Sequence, residues 1–433
     1  MNNKKPTIGV FGLGHIGLPT AVIFAKNGFN VIGIDLNPKI VDMINKGKSP
    51  IEECGLGELI HDSIKSKKLS ATNDGKTAAK LSDVMIIVVP TPKNNKNESE
   101  LSAVQSVCHT ISNGLNKGNL VIVESTVPPG ACDEIIIPIL ENSGLSAGED
   151  FGVAYTPERA LPTNTIHEMT HNARVIGGIN DLSAKKAFEL YKNITKGEIV
   201  ILDNLISAEM VKLMENTYRD VNIALANEFA ILCENLGVNA IKAIEAANHH
   251  PRVNIHSPGP GVGGHCLSID PYFIIEKSAK MGIECPVIST SRQVNEKMPI
   301  HVANLIIKSL LNKGKKIENS KIGILGIAYK GNVADARETP AITLIKYLKN
   351  RGAQIYAQDP FVDKNSIENL GAIPSPIEDV LYCDCVVLLT DHDIYKKIKP
   401  SMIKNNLFIC TRPVLNPEEF LKDGVDFKGV GIP

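Results

Sequence analysis

Short runs of consecutive apolar residues alternate along the chain with longer amphipathic segments. The first of these runs lie at residues 7–11, 30–34, 84–90, 120–126 and 151–156. Strands that are apolar on both sides are typical of a parallel sheet that is covered by helices on its two faces. We therefore expect the first part of the chain to form a doubly wound α/β domain.

The same order of elements returns in the last third of the chain. The apolar run 321–328 leads into a turn, Tyr329-Lys330-Gly331, which is followed by a helical segment and the run 353–360. Two further runs, CVVLLT and LFICT, extend the predicted sheet. Only two glycines stand near the positions of a glycine-rich turn, so this second α/β domain should bind its nucleotide differently.

A long helix is predicted between these two regions. Residues 207–236 contain neither proline nor glycine, Ser207 suits the N-cap, and Gly237 suits the C-terminal stop. At ~1.5 Å per residue the helix would be roughly 45 Å long, as in helices that connect domains or pair with a partner subunit. Three polar residues share one face, which is either a functional face or a solvated one: Lys212, Asn216 and Arg219.

The composition is that of an ordinary globular protein. The 433 residues are 43% hydrophobic and 21% charged with a formal net charge of −1, which leaves no basic excess for a nucleic-acid partner. No apolar stretch reaches the length of a signal peptide or a membrane span. The nine scattered cysteines form no disulfide framework. We expect a cytoplasmic protein without a membrane or nucleic-acid partner.

The first strand is followed by a glycine-rich turn that predicts a dinucleotide site. The turn runs from Gly12 through Gly14, His15 and Ile16 to Gly17, and a helix, a strand and Asp35 follow it. Glycines there allow a tight turn, a close approach of a pyrophosphate and close packing of helix on strand. The helix N-terminus favours phosphate.

A carboxylate at position 35 would accept hydrogen bonds from ribose hydroxyls and would repel a 2′-phosphate, so the sequence predicts NAD rather than NADP. Thr91 and Thr126 follow two later strands, where ligands of open α/β sheets bind. We therefore predict that both threonines contact the cofactor.

Residues 249–273 combine glycine, proline and reactive side chains. The run Pro258–Gly264 cannot form a regular helix or strand, and His265, Cys266 and Asp270 follow it. A thiol that is presented by a glycine turn beside a carboxylate suits covalent catalysis. An inert thiol in a surface loop is the alternative. A metal site from the nearby histidines is disfavoured, because the metal-binding Cys and His spacings are missing, and we predict no metal.

Four segments together make the chain resemble the nucleotide-sugar 6-dehydrogenases, the UDP-glucose/UDP-N-acetylmannosamine dehydrogenase family. They are the strand–GLGHIG–helix start, the helix with Lys212 and Asn216, the segment GVGGHCLSIDPYF, and AYKGNVADARETPA. The resemblance covers nearly the whole chain, and the cysteine segment is highly specific. It implies two Rossmann-like doubly wound domains joined by a long central helix and a helical middle domain.

The resemblance also implies three domains with distinct tasks. Residues 1–200 would bind NAD, residues 201–310 would carry the dimer contacts and the catalytic cysteine, and residues 311–433 would bind the UDP-sugar. The expected assembly is a homodimer or a dimer of dimers.

Within the family, HPRVN followed by GPGVGGHC is most similar to the branch that acts on UDP-N-acetyl-D-mannosamine. UDP-glucose dehydrogenases carry a different cysteine turn, from which this chain departs at Val262, His265 and Ser268. They also carry a second glutamate after the one matched by Glu158, where this chain has Arg-Ala-Leu-Pro. The expected substrate is therefore a UDP-N-acetylhexosamine. Members that act on UDP-N-acetyl-D-glucosamine share the GGHC turn and are the alternative.

The resemblance implies oxidation of the sugar C6 alcohol to a carboxylate in two steps, with two NAD⁺. Cys266 would attack the C6 aldehyde and pass through a thiohemiacetal to a thioester that water hydrolyses. Lys212 would supply positive charge to the thiolate and the oxyanion, and Asn216 would donate to the same oxygen. Asp270 would transfer a proton or orient Lys212, and Glu158 would position the water.

The resemblance further implies a set of substrate contacts, one of them supplied by the neighbouring subunit through Arg252. Arg337 would reach NAD. The substrate contacts are Arg159, Ala160, Lys212, Asn216, Arg219, His250, Arg252, Gly263, Tyr329, Lys330 and Arg412.

Two other classes of protein compete with this interpretation. A β-hydroxyacid dehydrogenase would share the first domain and the helical middle, but would need neither Cys266 nor a second nucleotide domain. A non-catalytic nucleotide-binding sensor would keep the glycines, but would have no reason to pair Cys266 with Lys212, Asn216 and Asp270.

Overall fold

The computed structural model describes residues 5–160 and 164–433. The chain divides into two compact units. The first comprises the described residues up to Glu215 together with Tyr272–Gly282, and the second comprises Asn216–Pro271 and Ile283–Pro433. The boundaries of the three predicted domains are a separate matter and stay a prediction.

The first unit is built on a sheet of eight strands within the described residues. Its strands are Thr7–Phe11 (β1), Asn30–Ile34 (β2), Leu69–Thr72 (β3), Val84–Ile87 (β4), Leu120–Val123 (β5), Gly152–Tyr155 (β6), Arg174–Gly178 (β7) and Ile199–Leu202 (β8). They lie in the order β3-β2-β1-β4-β5-β6-β7-β8. The first six are parallel in the Rossmann order, whereas β7 runs antiparallel to β6.

Helices cover both faces of this sheet. They are Gly17–Lys26 (α1), Pro38–Asn45 (α2), Leu56–Lys65 (α3), Gly75–Leu81 (α4), Ser102–Ser112 (α5), Ile137–Leu140 (α6), Thr165–His171 (α7) and Asp181–Tyr191 (α8), with a π-helical turn at Cys132–Ile136 and a 3₁₀ turn at Glu141–Ser143. Alternate strand residues enter two separate hydrophobic cores: Ile86 and Ile122 lie in one, Met85 and Val121 in the other. This explains why the strands are apolar throughout.

Four helices follow the first sheet along the chain. They are Leu205–Leu236 (α9), Ala240–Ala247 (α10), Asp270–Lys280 (α11) and Pro286–Asn312 (α12). The division between the units falls within α9, after Glu215, and within α11, after Pro271.

The second unit contains a six-stranded parallel sheet. Its strands are Lys321–Leu325 (β9), Gln354–Gln358 (β10), Ile373–Pro374 (β11), Cys385–Leu388 (β12), Leu407–Cys410 (β13) and Asp426–Gly429 (β14), in the order β11-β10-β9-β12-β13-β14. Its helices are Pro340–Lys349 (α13), Lys364–Asn369 (α14), Ile377–Leu381 (α15) and Pro417–Lys422 (α16), with 3₁₀ turns at Asp393–Lys397 and Pro400–Met402. The predicted fold, two doubly wound domains with a long helix and a helical middle region, is confirmed.

The two sheets repeat the same local contacts, not only the same strand order. A left-handed glycine follows the first strand of each sheet, Gly12 (φ 101°) and Gly326 (φ 88°). An aspartate follows the second strand of each sheet, Asp35 or Asp359. Its carboxylate accepts a hydrogen bond from the backbone N–H of the residue that follows the glycine. The predicted repeat therefore extends to individual hydrogen bonds.

One local prediction is wrong. Helix α9 begins at Leu205, and Ser207 lies inside its first turn rather than at the N-cap. The side-chain Oδ1 of Asn204 accepts the Ser207 N–H at 2.9 Å and caps the helix. The predicted C-terminal stop is correct, because Gly237 follows with φ 72°. Asparagine and serine are both favoured at the N-cap, so residue preference alone does not decide between Asn204 and Ser207.

Within the part of the chain that the structure describes, none of the helices combines the length and apolar character that crossing a membrane requires.

Candidate active site

The glycine-rich turn of the first unit has the geometry of a phosphate-binding turn. A Cβ atom on Gly12 would lie 2.2 Å from the Val88 carbonyl oxygen, and one on Gly17 would lie 1.9 Å from the Gly12 carbonyl oxygen. By contrast, a Cβ on Gly14 would meet nothing within 4 Å. Gly14 and His15 are exposed, and Ile16 is half-buried at the start of α1. Two glycines are thus required by packing, and the third leaves open space at the helix N-terminus, which suits a pyrophosphate.

Asp35 lies at the end of β2, where a ribose acceptor is expected. Its Oδ2 accepts the Leu13 N–H at 3.0 Å and its Oδ1 accepts the Asn37 N–H at 2.8 Å. These bonds fix the carboxylate while leaving it half-buried, with acceptor capacity on both oxygens. The next residue, Leu36, is 90% exposed. An exposed leucine beside the ribose acceptor offers an apolar surface for an adenine ring, a feature that sequence reasoning missed.

Thr91 and Thr126 follow β4 and β5, which are neighbours in the sheet with Ile87 in register with Val123. Ser125 ties the two strand ends together, since its Oγ accepts the Val89 N–H and donates to the Val89 carbonyl oxygen, both at 2.8 Å. Both threonines are half-buried. The structure therefore places them at one edge of the sheet, as predicted from the carboxyl-end rule.

Lys212 on α9 contacts the segment after β6. Its Nζ donates to the backbone carbonyl oxygen of Glu158 at 2.7 Å, not to the Glu158 side chain. The Glu158 carboxylate turns inward instead: Oε1 accepts the N–H groups of Arg159 (2.6 Å) and Ala160 (2.8 Å). The Arg159 guanidinium pairs with Glu215 at 2.6 Å. Glu158 thus stabilises the turn whose carbonyl oxygen binds Lys212. This structural role is additional to the positioning of water that the resemblance implies.

Beneath this turn lies a buried ionic cluster that sequence reasoning missed. Arg174, at the start of β7, donates to Glu158 at 2.7 Å and to Glu124 at 3.3 Å. Glu124 also accepts from Tyr191 at 2.6 Å and from Thr20 on α1 at 3.2 Å. One guanidinium faces two carboxylates, and burial raises the pKa of Glu124 against the pull of Arg174. Arg174 therefore links Glu158, at the turn, to Glu124 beneath it.

In the second unit, Cys266 lies half-buried in a tight turn at the entrance to α11. Its carbonyl oxygen accepts the N–H groups of Ile269 (2.9 Å) and Asp270 (2.8 Å). The Ser268 hydroxyl closes the turn by donating to the Gly264 carbonyl oxygen. The cysteine is therefore presented by a hydrogen-bonded turn rather than by a loose loop.

Asp270 and Asn216 form a buried pair next to this turn. The Asn216 Nδ2 donates to the Asp270 Oδ2 at 2.7 Å, and the two side chains are 7% and 3% exposed. A buried carboxylate is stabilised by such a donor. Asn216, predicted to donate to the reacting oxygen, uses one amide hydrogen for Asp270 and has a second one available.

The glycines before Cys266 pack directly against Tyr329. A Cβ on Gly264 (φ 83°) would lie 2.7 Å from the Tyr329 ring, and one on Gly263 would lie 2.9 Å from the Tyr329 Cβ. Burial raises the pKa of the Tyr329 phenol. Lys330 is exposed. Two of the predicted substrate contacts, Gly263 and Tyr329, are therefore brought together.

The remaining predicted cations of the second unit differ in their surroundings. The exposed Arg337 guanidinium forms two hydrogen bonds to Asp335, at 2.9 and 2.7 Å. Arg412 lies against the run Pro258–Gly264, which we call the glycine loop, with its Nη1 2.8 Å from where a Cβ on Gly259 would be. Arg219, His250 and Arg252 are exposed, and the last two approach each other at 3.4 Å.

The glycine loop is anchored to α9 by a buried amide chain. The Asn227 Oδ1 accepts the Gly259 N–H at 2.9 Å, and its Nδ2 donates to Asn295 on α12 at 2.9 Å. Asn295 in turn donates to Asp220, which also pairs with Arg292. Sequence reasoning missed these residues, because helical periodicity does not distinguish a buried polar position from a solvated one.

Among the described residues, the structure groups no three side chains of His, Cys, Asp and Glu in a way that could hold a metal ion.

Comparison with known families assigns three consecutive regions of the chain. The NAD binding domain of the UDP-glucose/GDP-mannose dehydrogenase family matches residues 6–195. Its central domain matches residues 206–297, and its UDP binding domain matches residues 323–417. Together these regions cover most of the chain, and the predicted NAD cofactor is confirmed.

Individual relatives match over their full length. The UDP-N-acetyl-D-mannosamine dehydrogenase of Methanococcus vannielii is 42% identical, over 99% of this chain and 97% of the relative. The structure of the UDP-D-ManNAc dehydrogenase of Pyrococcus horikoshii superposes with a TM-score of 0.91 at 38% identity, covering 98% of this chain and 99% of that one. An NDP-N-acetyl-D-galactosaminuronic acid dehydrogenase from Methanosarcina mazei gives 0.87 at 32% identity, covering 99% and 96%.

Proposed function

The chain belongs to the UDP-glucose/GDP-mannose dehydrogenase family and is an NAD-dependent dehydrogenase, and we propose that it oxidises UDP-N-acetyl-D-mannosamine at C6 to UDP-N-acetyl-D-mannosaminuronate through a thioester on Cys266. The observation that carries the proposal is the turn of Cys266, held between the Tyr329-packed glycines and the buried Asn216–Asp270 pair. Relatives named for this sugar, alike over their whole length, support the choice of substrate.

The proposed reaction needs two hydride acceptors and one nucleophile. When bound, NAD⁺ supplies the hydride acceptor for each oxidation step. The turn from Gly12 to Gly17, which includes His15 and Ile16, would hold its pyrophosphate in the open space at Gly14, and Asp35 would hold its ribose. The other predicted contacts, Thr91, Thr126 and Arg337, keep that assignment as part of the proposal.

The Cys266 thiolate would add to the C6 aldehyde formed in the first oxidation, giving a thiohemiacetal. Loss of a second hydride gives the thioester, and water then releases the carboxylate and the thiol. Each sugar would thus consume one water and two NAD⁺ and yield two NADH and three protons. Lys212 supplies positive charge for the oxyanion, and Asn216 supplies the amide hydrogen that Asp270 does not use.

Residues of the second unit that lie near the cysteine turn would bind the uridine diphosphate and the sugar. Gly263 and Tyr329 already pack together, and Lys330 is exposed beside them. The other proposed substrate contacts are Arg159, Ala160, Arg219, His250, Arg252 and Arg412.

An apolar stripe on α9 supports the proposal of a homodimer. Five large apolar side chains of the second unit lie exposed at helical spacing: Tyr218 (55%), Leu225 (42%), Phe229 (38%), Leu232 (56%) and Leu236 (66%). Exposed apolar patches of this kind mark protein interfaces. The loop that carries Arg252 is tied to the same helix, because Asn222 donates to the Asn254 carbonyl oxygen at 2.9 Å. A dimer through α9 would therefore bring Arg252 to the partner subunit.

The choice of sugar is tested by comparing kcat/KM for UDP-N-acetyl-D-mannosamine, UDP-N-acetyl-D-glucosamine and UDP-glucose. We expect a clear preference for the first. A preference for UDP-N-acetyl-D-glucosamine would keep the mechanism and change only the sugar. Binding of all three without NADH formation would favour a nucleotide-binding sensor.

A further inference from the structure

A short segment of the second unit, residues 327–332, is clamped from two sides. The Ile327 and Ala328 N–H groups donate to Asp359 at the end of β10, at 2.7 and 2.9 Å. From the end of β12, the Thr390 hydroxyl donates to the Ala328 carbonyl oxygen at 2.6 Å. The segment, which we call the clamped segment, is therefore held by hydrogen bonds from both sides.

His392 joins the two sides of this clamp. Its side chain is fully buried, with Nε2 3.0 Å from the Asp359 Oδ2 and Nδ1 2.9 Å from the Asn332 backbone nitrogen. A carboxylate accepts and a backbone N–H donates, so Nε2 carries the hydrogen and Nδ1 is the acceptor. Phe361 and Tyr395 flank the ring, with centroid distances of 5.2 and 5.5 Å. His392 is thus held as one neutral tautomer.

The clamped segment carries Tyr329 and Lys330, and it lies in the region that matches the family's UDP binding domain. The Tyr329 ring packs on Gly264, two residues before Cys266. Hence the position of this segment bears on both the nucleotide contacts and the cysteine turn.

We propose that His392 is a positioning residue for substrate binding: through Nδ1 it fixes the Asn332 end of the clamped segment, so that Tyr329 and Lys330 are preorganised for the uridine diphosphate part of the substrate. The inference rests on the proposed function, since it assigns the nucleotide to this segment. His392 is not among the substrate contacts that the resemblance implies, and it lies outside the sequence motifs.

Two substitutions separate the contacts of the histidine ring. The amide oxygen in His392→Asn can occupy the place of Nδ1 and accept the Asn332 N–H, whereas the amide nitrogen in His392→Gln can occupy the place of Nε2 and donate to Asp359. We expect UDP alone, measured by calorimetry, to bind roughly tenfold more weakly to the glutamine variant and within about twofold of wild type to the asparagine variant. The KM for the UDP-sugar should follow the same order.

The affinity for NAD is the internal control, because its predicted contacts lie in the first unit except for Arg337, which lies outside the clamped segment. It should stay unchanged in both variants. Wild-type affinity for UDP in the glutamine variant would overturn the inference and leave the proposed function intact. Equal losses of UDP and NAD affinity in both variants would indicate general loss of structure and overturn it too. Failure of the wild-type protein to bind UDP would overturn the proposed function itself.

Hydrogen exchange on the unsubstituted protein tests the same claim if the variants do not fold. The Asn332 N–H, bonded to a buried ring nitrogen, should exchange slowly, and UDP should slow it at least severalfold further. NAD alone should leave it unchanged. Fast exchange of this amide, with or without UDP, would contradict a clamp through His392.

Discussion

At the scale of single residues, Arg174 is a buried cation that pairs with two buried carboxylates, Glu124 and Glu158. The Arg174→Met variant would leave Glu124 and Glu158 buried without a cation, which we expect to cost about 3–5 kcal/mol of unfolding free energy. Urea unfolding followed by circular dichroism measures it.

Lys46→Met is the matched control, because both side chains of its ion pair with Asp42 are exposed, at 62% and 59%, and the pair should contribute less than about 1 kcal/mol. If the two variants lost the same stability, Arg174 would not be the centre of the buried cluster.

Kinetics on the folded fraction of Arg174→Lys should show a reduced kcat, because the Glu158 turn holds Lys212.

Asp359 gives a pH-dependent prediction at the same scale. Burial raises the pKa of Asp359, but hydrogen bonds from His392 and from the backbone of residues 327, 328 and 361 outweigh it and lower the pKa from 3.8 to about 2. A depressed carboxyl pKa stabilises the fold above its unfolded value, and that stabilisation is lost as the pH falls through the folded value.

We therefore expect Asp359→Asn to be less stable than wild type by about 2 kcal/mol near neutral pH. The gap should shrink between about pH 4 and about pH 2, where wild-type Asp359 becomes protonated. Urea midpoints of both proteins across this range give the difference directly. A gap that stays constant with pH would show that the Asp359 charge contributes nothing.

At the scale of elements, the cap of α9 can be tested with a pair of neighbouring substitutions. Asn204→Ala removes the side chain that accepts the Ser207 N–H and should cost about 1 kcal/mol. Ser207→Ala, inside the first turn, should change stability by no more than a few tenths of a kcal/mol. Thermal unfolding of both variants distinguishes the two residues. The reverse order of effects would restore Ser207 as the cap.

The elements also show what sequence patterns can and cannot specify. Strands β1 and β2 end where the apolar runs end, and the glycine positions and Asp35 identify the dinucleotide turn, because both signals are local. The reversal of β7 against β6 has no local signal, since strand direction depends on the connection. The sequence did not predict the roles of His392, Arg174 and Asn227 either, because their hydrogen-bond partners are distant in sequence.

At the scale of the whole molecule, the proposed dimer makes a prediction about shared active sites. If Arg252 acts on the neighbouring subunit, Arg252→Ala and Cys266→Ala should each be inactive alone. In a mixture allowed to exchange subunits, each hybrid dimer would hold one site with both residues intact. About a quarter of wild-type activity should then return, since half the dimers are hybrids with one working site.

Mixing without recovery, in a sample whose subunit exchange is demonstrated by mass, would place Arg252 in its own subunit's site. A Phe229→Glu variant serves as the assembly control: a charge on the exposed apolar stripe should yield a monomer by light scattering. A dimer that persists in this variant would remove α9 as its interface.

The central claim, a four-electron oxidation through Cys266, is tested most directly by counting NADH released per limiting UDP-N-acetyl-D-mannosamine. The wild-type protein should release two NADH for each sugar, and Cys266→Ala should abolish this turnover. One NADH per sugar from the wild type, or two from the alanine variant, would contradict the thioester mechanism and return the chain to simple two-electron dehydrogenase chemistry.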